Sequence, residues 1–335
     1  MSKSPAKERG DLLDSIQGFY ASTVLLQLLR LGVLQDLVAP HDAKSLAAKH
    51  RLDASLTGHA LEFLARTTGV VTQTRRGQFQ LGDTSLVELT FQLEKFVGAY
   101  GPAVQALSNS MRQPDAAKTH VDRRALAAAF AVSGSFLTPF VPDLIRKAKV
   151  KCLLDLGCGT ASLLVELARR DEAFRGIGVD ASRFMCHHAR QAVREAGLGN
   201  RIKVKLVDGR DLRSGLSAAE VARVDSLHGR SFLNEFFTSG DQEIIKVLRR
   251  LHRLFPGRKA WFVDYYGRLG HPAKFGDDCQ LALLQDLAQV VSGQGVPRPD
   301  AKSWRAIYSK AGTRLKRTHE FRGAGINWFI HEVDL

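Results

Sequence analysis

From Val150 to the C-terminus, short apolar runs alternate with helical segments, and this alternation constrains the fold more than any other feature of the sequence. The runs occupy residues 152–154, 176–179, 202–207, 224–232 and 260–263. Strands that alternate with helices predict a parallel, doubly wound α/β sheet. Two later runs, 315–320 and 327–333, predict an antiparallel pair at the edge of that sheet.

The N-terminal third of the chain has a different pattern. Apolar residues recur at helical spacing between residues 12 and 38, with a break at Gly32, and Asp42 and Asp53 can cap two further helices. Residues 70–81 predict a small hairpin. We therefore expect a mostly α, winged-helix-like domain at 1–95, a helical linker at 96–147 that contributes to a substrate pocket, and an α/β domain at 148–335.

Cysteine spacing and the N-terminal sequence indicate the compartment. The four cysteines, Cys152, Cys158, Cys186 and Cys279, form no C-x-x-C pair, so neither a disulfide framework nor a structural zinc site is expected. The first residues lack the apolar core of a secretory signal, and polar residues interrupt the most apolar early stretch, 24–38. These features predict a cytoplasmic protein without a membrane anchor.

A glycine turn follows the first run of the α/β region. The sequence Asp155-Leu156-Gly157-Cys158-Gly159-Thr160-Ala161-Ser162 predicts a strand, a tight turn and the start of a helix. A dinucleotide fingerprint requires a third glycine where this chain has Ser162, and a pyrophosphate would not favour the anion of Asp155. A ligand with a cationic amino acid part and no phosphate fits the turn better.

The turn resembles the first motif of class I S-adenosylmethionine-dependent methyltransferases, which is an acidic residue followed by Gly-x-Gly. The resemblance implies a Rossmann-like domain in which Asp155 lies beside the methionine moiety, while Gly157, Gly159 and Thr160 make room for the cofactor. It also implies that Asp180, which ends the second predicted strand 25 residues later, accepts both ribose hydroxyls.

Further residues match the cofactor site of that family. An acid after the third strand is expected against the adenine amino group, and Asp208 and Asp211, beside Gly209, are both candidates, with Asp211 preferred. Arg230 and Ser231, in the fourth predicted strand, are further candidates for the cofactor site. A glycine-rich turn alone also occurs without a ligand, but the additional acids favour S-adenosylmethionine binding.

The order of the predicted domains is similar to that of small-molecule O-methyltransferases. In such enzymes an N-terminal winged-helix domain commonly dimerises, and the N-terminal helix of one subunit reaches the active site of the other. The resemblance implies a homodimer that acts on a small molecule, and the expected substrate is a small carboxylate-bearing metabolite. The net charge of +14 favours anionic partners in general, which include nucleic acid, a membrane surface and acidic metabolites, and does not choose among them. The resemblance also makes Tyr20 a candidate for substrate positioning.

The residue expected to remove a hydroxyl proton in O-methyltransferases of this type is a histidine just after the fourth strand. Here that position holds Asn234, which cannot act as a general base because an amide does not titrate near neutral pH. His228, within the strand, is interpreted as a hydrogen-bonded core residue. The same subgroup includes 2-ketoacid C-methyltransferases, whose metal-binding positions correspond here to Asn234 and Gln285. Two amides are a poor site for a transition metal, so no metal is predicted.

A thioether sulfur needs neither a base nor a metal, because its methylation requires only in-line positioning. The resemblance to enzymes that methylate 4-methylthio-2-hydroxybutyrate, on the route to dimethylsulfoniopropionate, therefore makes S-methylation the preferred hypothesis. O-methylation and 2-ketoacid C-methylation are the alternatives. Asn234 and Gln285 are candidates to hydrogen-bond the substrate, and Arg123 or Arg230 to pair with its carboxylate.

Aromatic side chains that face the sulfonium would stabilise its charge. The candidates are Tyr20, Phe136, Tyr265 and Trp328, although each is also explained as a packing residue. In the same way, Gln285 and Asp286 are also explained as the exposed side of their helix, and Arg123 as part of a solvated helix face.

A winged helix with a positive charge is also typical of a DNA-binding protein with a ligand-sensing domain. The helix expected in the major groove, residues 53–68, carries only His59 and Arg66 as reading groups. A recognition helix is richer in Arg, Lys, Asn and Gln. Dimerisation is therefore favoured over nucleic-acid binding.

Overall fold

The computed structural model describes residues 5–133, 140–238, 240–271, 280–323 and 326–335. The chain divides into two compact units, Met1–Gly101 and Pro102–Leu335. The domain limits given above from the sequence, 1–95, 96–147 and 148–335, stay predictions.

The N-terminal unit contains the predicted helices and hairpin. Its elements are α1 (Pro5–Arg30), α2 (Val33–Asp36), α3 (Ala43–His50), α4 (Ala54–Thr67), β1 (Val71–Gln73), β2 (Phe79–Leu81), α5 (Leu86–Gln92) and a π-helical segment (Leu93–Ala99). The Asp42 carboxylate accepts a hydrogen bond from the Ser45 N–H, and that of Asp53 from the Leu56 N–H, so both predicted N-caps are present. Leucines of α1, α2 and α4 form the core of this unit.

Helix α1 exposes an apolar stripe. The stripe consists of Leu12, Leu13, Ile16, Phe19 and Tyr20. Among the described residues, one segment, Leu12–Arg30, is long and apolar enough to cross a membrane by length and composition. Helices of soluble proteins pass the same test, so this finding is weak evidence for a membrane span.

Helix α4 was the candidate DNA-reading helix. One of its two candidate reading groups, Arg66, forms an i,i+4 ion pair with Glu62 at 2.5 Å. Leu56, on the exposed side of α4, is 70% accessible. Neither observation adds a base-reading group to the two that the sequence offers.

The C-terminal unit carries its helices before, between and after the strands of one sheet. The helical elements are α6 (Gly101–Gln105), α7 (Leu107–Arg112), a 3-10 helix (Pro114–Thr119), α8 (Arg123–Ser133), α9 (Val141–Lys147), α10 (Ser162–Arg170), α11 (Arg183–Glu195), a 3-10 helix (Leu212–Ser214), α12 (Ala218–Arg223), a 3-10 helix (Leu233–Phe236), α13 (Asp241–Leu254), α14 (Gln280–Val291) and α15 (Ala301–Lys310).

The sheet of this unit has the predicted class and topology. Its strands are β3 (Cys152–Leu156), β4 (Arg175–Asp180), β5 (Ile202–Leu206), β6 (Ser226–Arg230), β7 (Lys259–Tyr265), β8 (Arg314–Gly323) and β9 (Ile326–Asp334). The spatial order is β5-β4-β3-β6-β7-β9-β8, with β3–β7 parallel and β8 and β9 antiparallel at one edge. The prediction of a Rossmann-like α/β sheet with an antiparallel C-terminal pair is confirmed.

Side chains of the buried strands alternate between two cores. On β3, Leu154 and Leu156 join the core that includes Leu227 and Phe262, whereas Leu153 joins the core that includes Trp261. The strand order reverses between β3 and β6, which lie side by side although β4 and β5 separate them in sequence. In open sheets of this kind, ligands bind at the carboxyl ends of the strands next to such a reversal.

Candidate active site

The glycine turn lies at the carboxyl end of β3, at this reversal. Gly157 has φ 62° and Gly159 has φ 54°, a left-handed conformation that glycine adopts without steric cost. Ala161, the N-cap of α10, is also left-handed (φ 59°) and has no side-chain cap hydrogen bond. The turn therefore presents the positive N-terminal end of α10 at the carboxyl edge of the sheet.

Asp180 ends β4 beside this turn. Its Oδ2 accepts a hydrogen bond from the Gly159 N–H at 3.0 Å, and its Oδ1 accepts one from the Ser182 N–H at 2.8 Å. Desolvation raises the pKa of Asp180, while these two N–H groups act in the opposite direction. The carboxylate is thus held in a fixed orientation at the strand end.

The loop after β5 contains both candidate adenine-binding acids. Asp208 forms a bidentate pair with Arg210, with N–O distances of 2.6–3.0 Å, whereas Asp211 is exposed. Gly209, between them, has a packing role: a Cβ there would lie 2.4 Å from Cε2 of Phe232. The absence of a side chain at position 209 is therefore explained by the Phe232 ring.

Strand β6, which pairs with β3, and the residue after it carry three polar residues considered for the site, His228, Arg230 and Ser231. His228 Nδ1 lies 2.7 Å from Oδ1 of Asp155, and both side chains are buried. The guanidinium of Arg230 lies 6.0 Å from the centroid of the Phe130 ring, and desolvation lowers its pKa while Asp155 raises it. Ser231 is left-handed (φ 49°) and its N–H donates to Val263 O.

The 3-10 helix after β6 holds Asn234 and Glu235. Asn234 is buried; its N–H donates to Oδ2 of Asp264 at 3.1 Å, and its side-chain Oδ1 has no hydrogen-bond partner among the described residues. Glu235 is exposed, yet the protein around it desolvates its carboxyl and raises its pKa to about 7. Arg123 lowers this pKa, whereas Asp180 and Asp208 raise it, so Glu235 lies within electrostatic reach of these two acids.

Helix α14 buries its polar face. Gln285, Asp286 and Gln289 are buried, whereas the apolar Leu284, Leu287 and Val290 are exposed. Asp286 accepts hydrogen bonds from the Tyr265 hydroxyl at 2.8 Å and from the N–H groups of residues 268 and 269. The interpretation of Gln285 and Asp286 as the exposed side of their helix is therefore wrong, because the chain folds polar groups of the loop after β7 onto this face.

The other predicted site residues have varied positions. Tyr265 is 1% exposed and hydrogen-bonded to Asp286, so its ring is a packing element, and Trp328 contacts it edge to face at 6.1 Å. Tyr20 is exposed on α1. Thr160 follows Gly159 and is half-buried. Phe136 lies outside the described residues.

Two functional candidates were missed from the sequence, Glu235 and Asp264. Asp264 is buried near the end of β7, accepts N–H groups of Asn234 and Tyr265, and has a pKa that desolvation raises to about 8. The sequence signal for Asp264 was its position near the end of the strand that follows β6, because side chains from the carboxyl ends of parallel strands line one site. The sequence signal for Glu235 was a titratable side chain directly after Asn234.

Comparison with known proteins agrees with this geometry. Residues 153–255 match the family model described as a methyltransferase domain. The structure of the mitomycin 7-O-methyltransferase MmcR is 17% identical, with coverage of 98% of both chains and a TM-score of 0.72.

Two other solved structures share the fold. An O-methyltransferase from neocarzinostatin biosynthesis, solved with S-adenosylmethionine and 2-hydroxy-5-methyl naphthoic acid, is 16% identical over 94% of this chain and 96% of that one (TM-score 0.65). The N,N-8-amino-8-demethyl-D-riboflavin dimethyltransferase of Streptomyces davawensis is 18% identical over 99% of both chains (TM-score 0.61).

The chain thus carries a methyltransferase domain in a class I, O-methyltransferase-like fold. The prediction of an S-adenosylmethionine-dependent methyltransferase, with S-adenosylmethionine as its cofactor, is confirmed at the level of domain and fold. At these identities the likeness to solved structures concerns the fold alone, so the accepting atom must be argued from the residues of this chain.

Proposed function

We propose that the protein transfers the methyl group of S-adenosylmethionine to a small, carboxylate-bearing metabolite in the cytoplasm. The observation that carries this proposal is the row of acids, Asp155, Asp180 and Asp208, at or just after the carboxyl ends of three adjacent parallel strands beside the glycine turn. In this arrangement Asp180 is the acceptor for the ribose hydroxyls and Asp155 the acceptor for the amino group. Asp208 or Asp211 would contact the adenine.

The residues present fit this cofactor. Gly157 is exposed and left-handed, so the backbone offers a close approach without a side chain in the way. The acids around the turn complement a ligand that carries a sulfonium and an ammonium and no phosphate. When bound, the cofactor supplies an electrophilic methyl group, and the protein has to orient the acceptor in line with it.

The first candidate acceptor is the thioether sulfur of an acid such as 4-methylthio-2-hydroxybutyrate. Support comes from Asn234, which does not titrate near neutral pH at the position where a histidine base would be needed for a hydroxyl. The buried Asn234 Oδ1 has no hydrogen-bond partner among the described residues, and in this proposal it accepts a hydrogen bond from the substrate hydroxyl. Arg123 or Arg230 would pair with the substrate carboxylate.

The second candidate acceptor is a hydroxyl group, which Glu235 favours. The side chain of Glu235 is reachable by solvent beside Asn234 and lies within electrostatic reach of Asp180. Its pKa of about 7 suits a general base at neutral pH. In this role Glu235 would take the proton that a histidine takes in other O-methyltransferases. Ketoacid C-methylation is the least favoured acceptor chemistry, since Asn234 and Gln285 offer amides to a metal.

We further propose that two chains form a homodimer through the N-terminal unit. The exposed apolar stripe of α1, including Ile16 and Phe19, supports this, because such stripes mark interaction surfaces. In the dimer, Tyr20 of one subunit would help to position the substrate of the other. The molar mass by light scattering tests this: an I16E/F19E variant is expected to be monomeric, and an unchanged dimer would overturn the proposal.

Cofactor binding is tested by titrating S-adenosylhomocysteine into the protein in a calorimeter. Asp180→Asn is expected to weaken binding by roughly 10- to 100-fold, because hydrogen bonds to charged groups contribute about 1.5–3 kcal/mol. The matched control is Asp171→Asn, since Asp171 pairs with Lys151 before β3, away from the glycine turn. Equal affinities of the two variants and the wild type would contradict the proposed site.

The acceptor is identified by incubating the protein with S-adenosylmethionine and one of 4-methylthio-2-hydroxybutyrate, methionine, a catechol or phenylpyruvate, with and without chelator. The readout is S-adenosylhomocysteine by mass spectrometry. Turnover of the thioether acid that Glu235→Gln leaves unchanged supports S-methylation. Turnover of the catechol that Glu235→Gln lowers about 100-fold or more supports a hydroxyl acceptor. Chelator-sensitive turnover of phenylpyruvate contradicts both.

A further inference from the structure

The buried pair of Asp155 and His228 has an arrangement that core packing alone does not explain. The two residues are cross-strand partners in the parallel pair β3–β6, and each is only 3% exposed. The hydrogen bond joins His228 Nδ1 to Oδ1 of Asp155 at 2.7 Å. Burial of an acid and an imidazole is costly unless the two are paired, and this pair uses one oxygen and one nitrogen.

The remaining polar atoms of the pair are the informative ones. His228 Nε2 is buried and has no hydrogen-bond partner among the described residues, so the ring is not a fully satisfied core histidine. The hydrogen bonds between described residues engage Asp155 through Oδ1 only. The imidazole therefore fixes Oδ1 of the carboxylate. Oδ2 makes no hydrogen bond with the described residues and is the oxygen that a ligand would contact.

The position of Asp155 makes this fixation matter. Asp155 precedes Leu156 and the left-handed Gly157, so its carboxylate lies at the start of the glycine turn. The terminal torsion of an aspartate is soft, and an unrestrained carboxylate would populate several orientations. A carboxylate that is already oriented loses less entropy when it binds a ligand.

We propose that His228 is a positioning residue, whose ring holds the carboxylate of Asp155 so that Oδ2 receives the amino group of the cofactor's methionine moiety. The inference rests on the proposed cofactor site and adds a residue to it. His228 touches Asp155 and not the reacting atoms. Its effect is therefore confined to ligands that carry the amino acid part.

Two substitutions separate the hydrogen bond from the bulk of the ring. In His228→Asn, the amide nitrogen takes the place of Nδ1 and can still donate to Asp155. In His228→Gln, the amide nitrogen takes the place of Nε2 and leaves Oδ1 without its partner. Both variants place one amide in the same buried site, so the comparison controls for loss of the imidazole.

The experiment measures dissociation constants of the full chain and both variants for two ligands, S-adenosylhomocysteine and 5′-methylthioadenosine, which lacks the amino acid part. We expect His228→Gln to bind S-adenosylhomocysteine about tenfold or more weakly, and 5′-methylthioadenosine within about twofold of wild type. His228→Asn is expected to retain most of the affinity for both ligands. Unfolding temperatures without ligand show whether each variant is folded.

The outcomes are distinct. If His228→Gln weakens the binding of both ligands equally, His228 has a structural role only, and the proposal is overturned. If it weakens neither, the hydrogen bond does not position Asp155, and the proposal is also overturned. If wild type binds neither ligand, the proposed cofactor site itself fails. Should His228→Gln not fold, His228→Phe removes the hydrogen bond while it keeps an aromatic ring, and the test is then the ratio of its affinities for the two ligands, with a loss of binding expected for S-adenosylhomocysteine alone.

Discussion

The contact between Gly209 and Phe232 yields a quantitative prediction. A Cβ on Gly209 would lie 2.4 Å from Cε2 and 2.7 Å from Cζ of Phe232. Gly209 is not among the glycines with positive φ, so alanine meets no left-handed penalty there, and the expected cost is the steric contact with Phe232. Phe232 is buried and packs edge to face on Phe236 at 5.1 Å, so its ring has little room to move.

Three variants separate this steric cost from other effects. Gly209→Ala is expected to lower the free energy of unfolding by about 1–3 kcal/mol, the range for overpacking a core. Phe232→Leu, which removes the ring atoms that clash, should cost roughly 1–2 kcal/mol, less than the 3–5 kcal/mol of complete truncation to alanine. The double variant should lose less than the sum of the two, with a coupling of about 1 kcal/mol or more.

The assay is urea unfolding followed by tryptophan fluorescence. Trp261, Trp304 and Trp328 are the three tryptophans of the chain and all lie in the C-terminal unit, so the signal reports this unit alone. If the double variant loses the sum of the two single losses of unfolding free energy to within about 0.5 kcal/mol, the steric reasoning is refuted. A Gly209→Ala variant as stable as wild type refutes it too.

Two further predictions concern the pH dependence of stability, each measured by urea titrations at several pH values. The pKa of Asp264 is raised to about 8 by burial, so the native state keeps a proton that the unfolded chain releases above about pH 4. The resulting stabilisation is lost as pH rises towards 8. In wild type the free energy of unfolding should therefore decline between pH 5 and 8, and Asp264→Asn should reduce the slope of this decline by up to about 1.4 kcal/mol per pH unit. Parallel curves for variant and wild type would contradict this. Glu220 shows the opposite sign, because its hydrogen bond with Lys205 lowers its pKa to about 2. The stabilisation by the Glu220 carboxylate is present above the ordinary pKa of a glutamate and is lost as pH falls through 2. Glu220→Gln should therefore lower the free energy of unfolding by about 1–3 kcal/mol at pH 7 and leave it unchanged below pH 2. A loss that is independent of pH would refute this assignment.

Local sequence signals were sufficient for the strand, turn and helix around the proposed cofactor site. The turn at Gly157 and Gly159 needs left-handed backbone, and Asp180 follows at the end of the next strand, so both are visible in a single stretch of sequence. The caps at Asp42 and Asp53 were predictable for the same reason, since a cap depends on residues two or three positions away.

Contacts between distant segments were not predictable. The pairing of Asp155 with His228 depends on the register of β3 and β6, which are separated by two other strands in sequence. The burial of Asp286 depends on the loop after β7, because its carboxylate accepts hydrogen bonds from N–H groups of that loop. A helix that exposes Leu287 and buries Asp286 contradicts the usual apolar pattern, so that pattern does not indicate which face of α14 is buried.

The most direct test of the account is amide hydrogen exchange with and without S-adenosylhomocysteine. We predict slower exchange on binding at residues 157–162, at 180–182 and at 208–212, the three segments beside the carboxyl ends of β3, β4 and β5. Exchange that stays unchanged in these segments at a saturating concentration of ligand, or protection confined to the N-terminal unit, would contradict the central claim that the cofactor binds at this edge of the sheet.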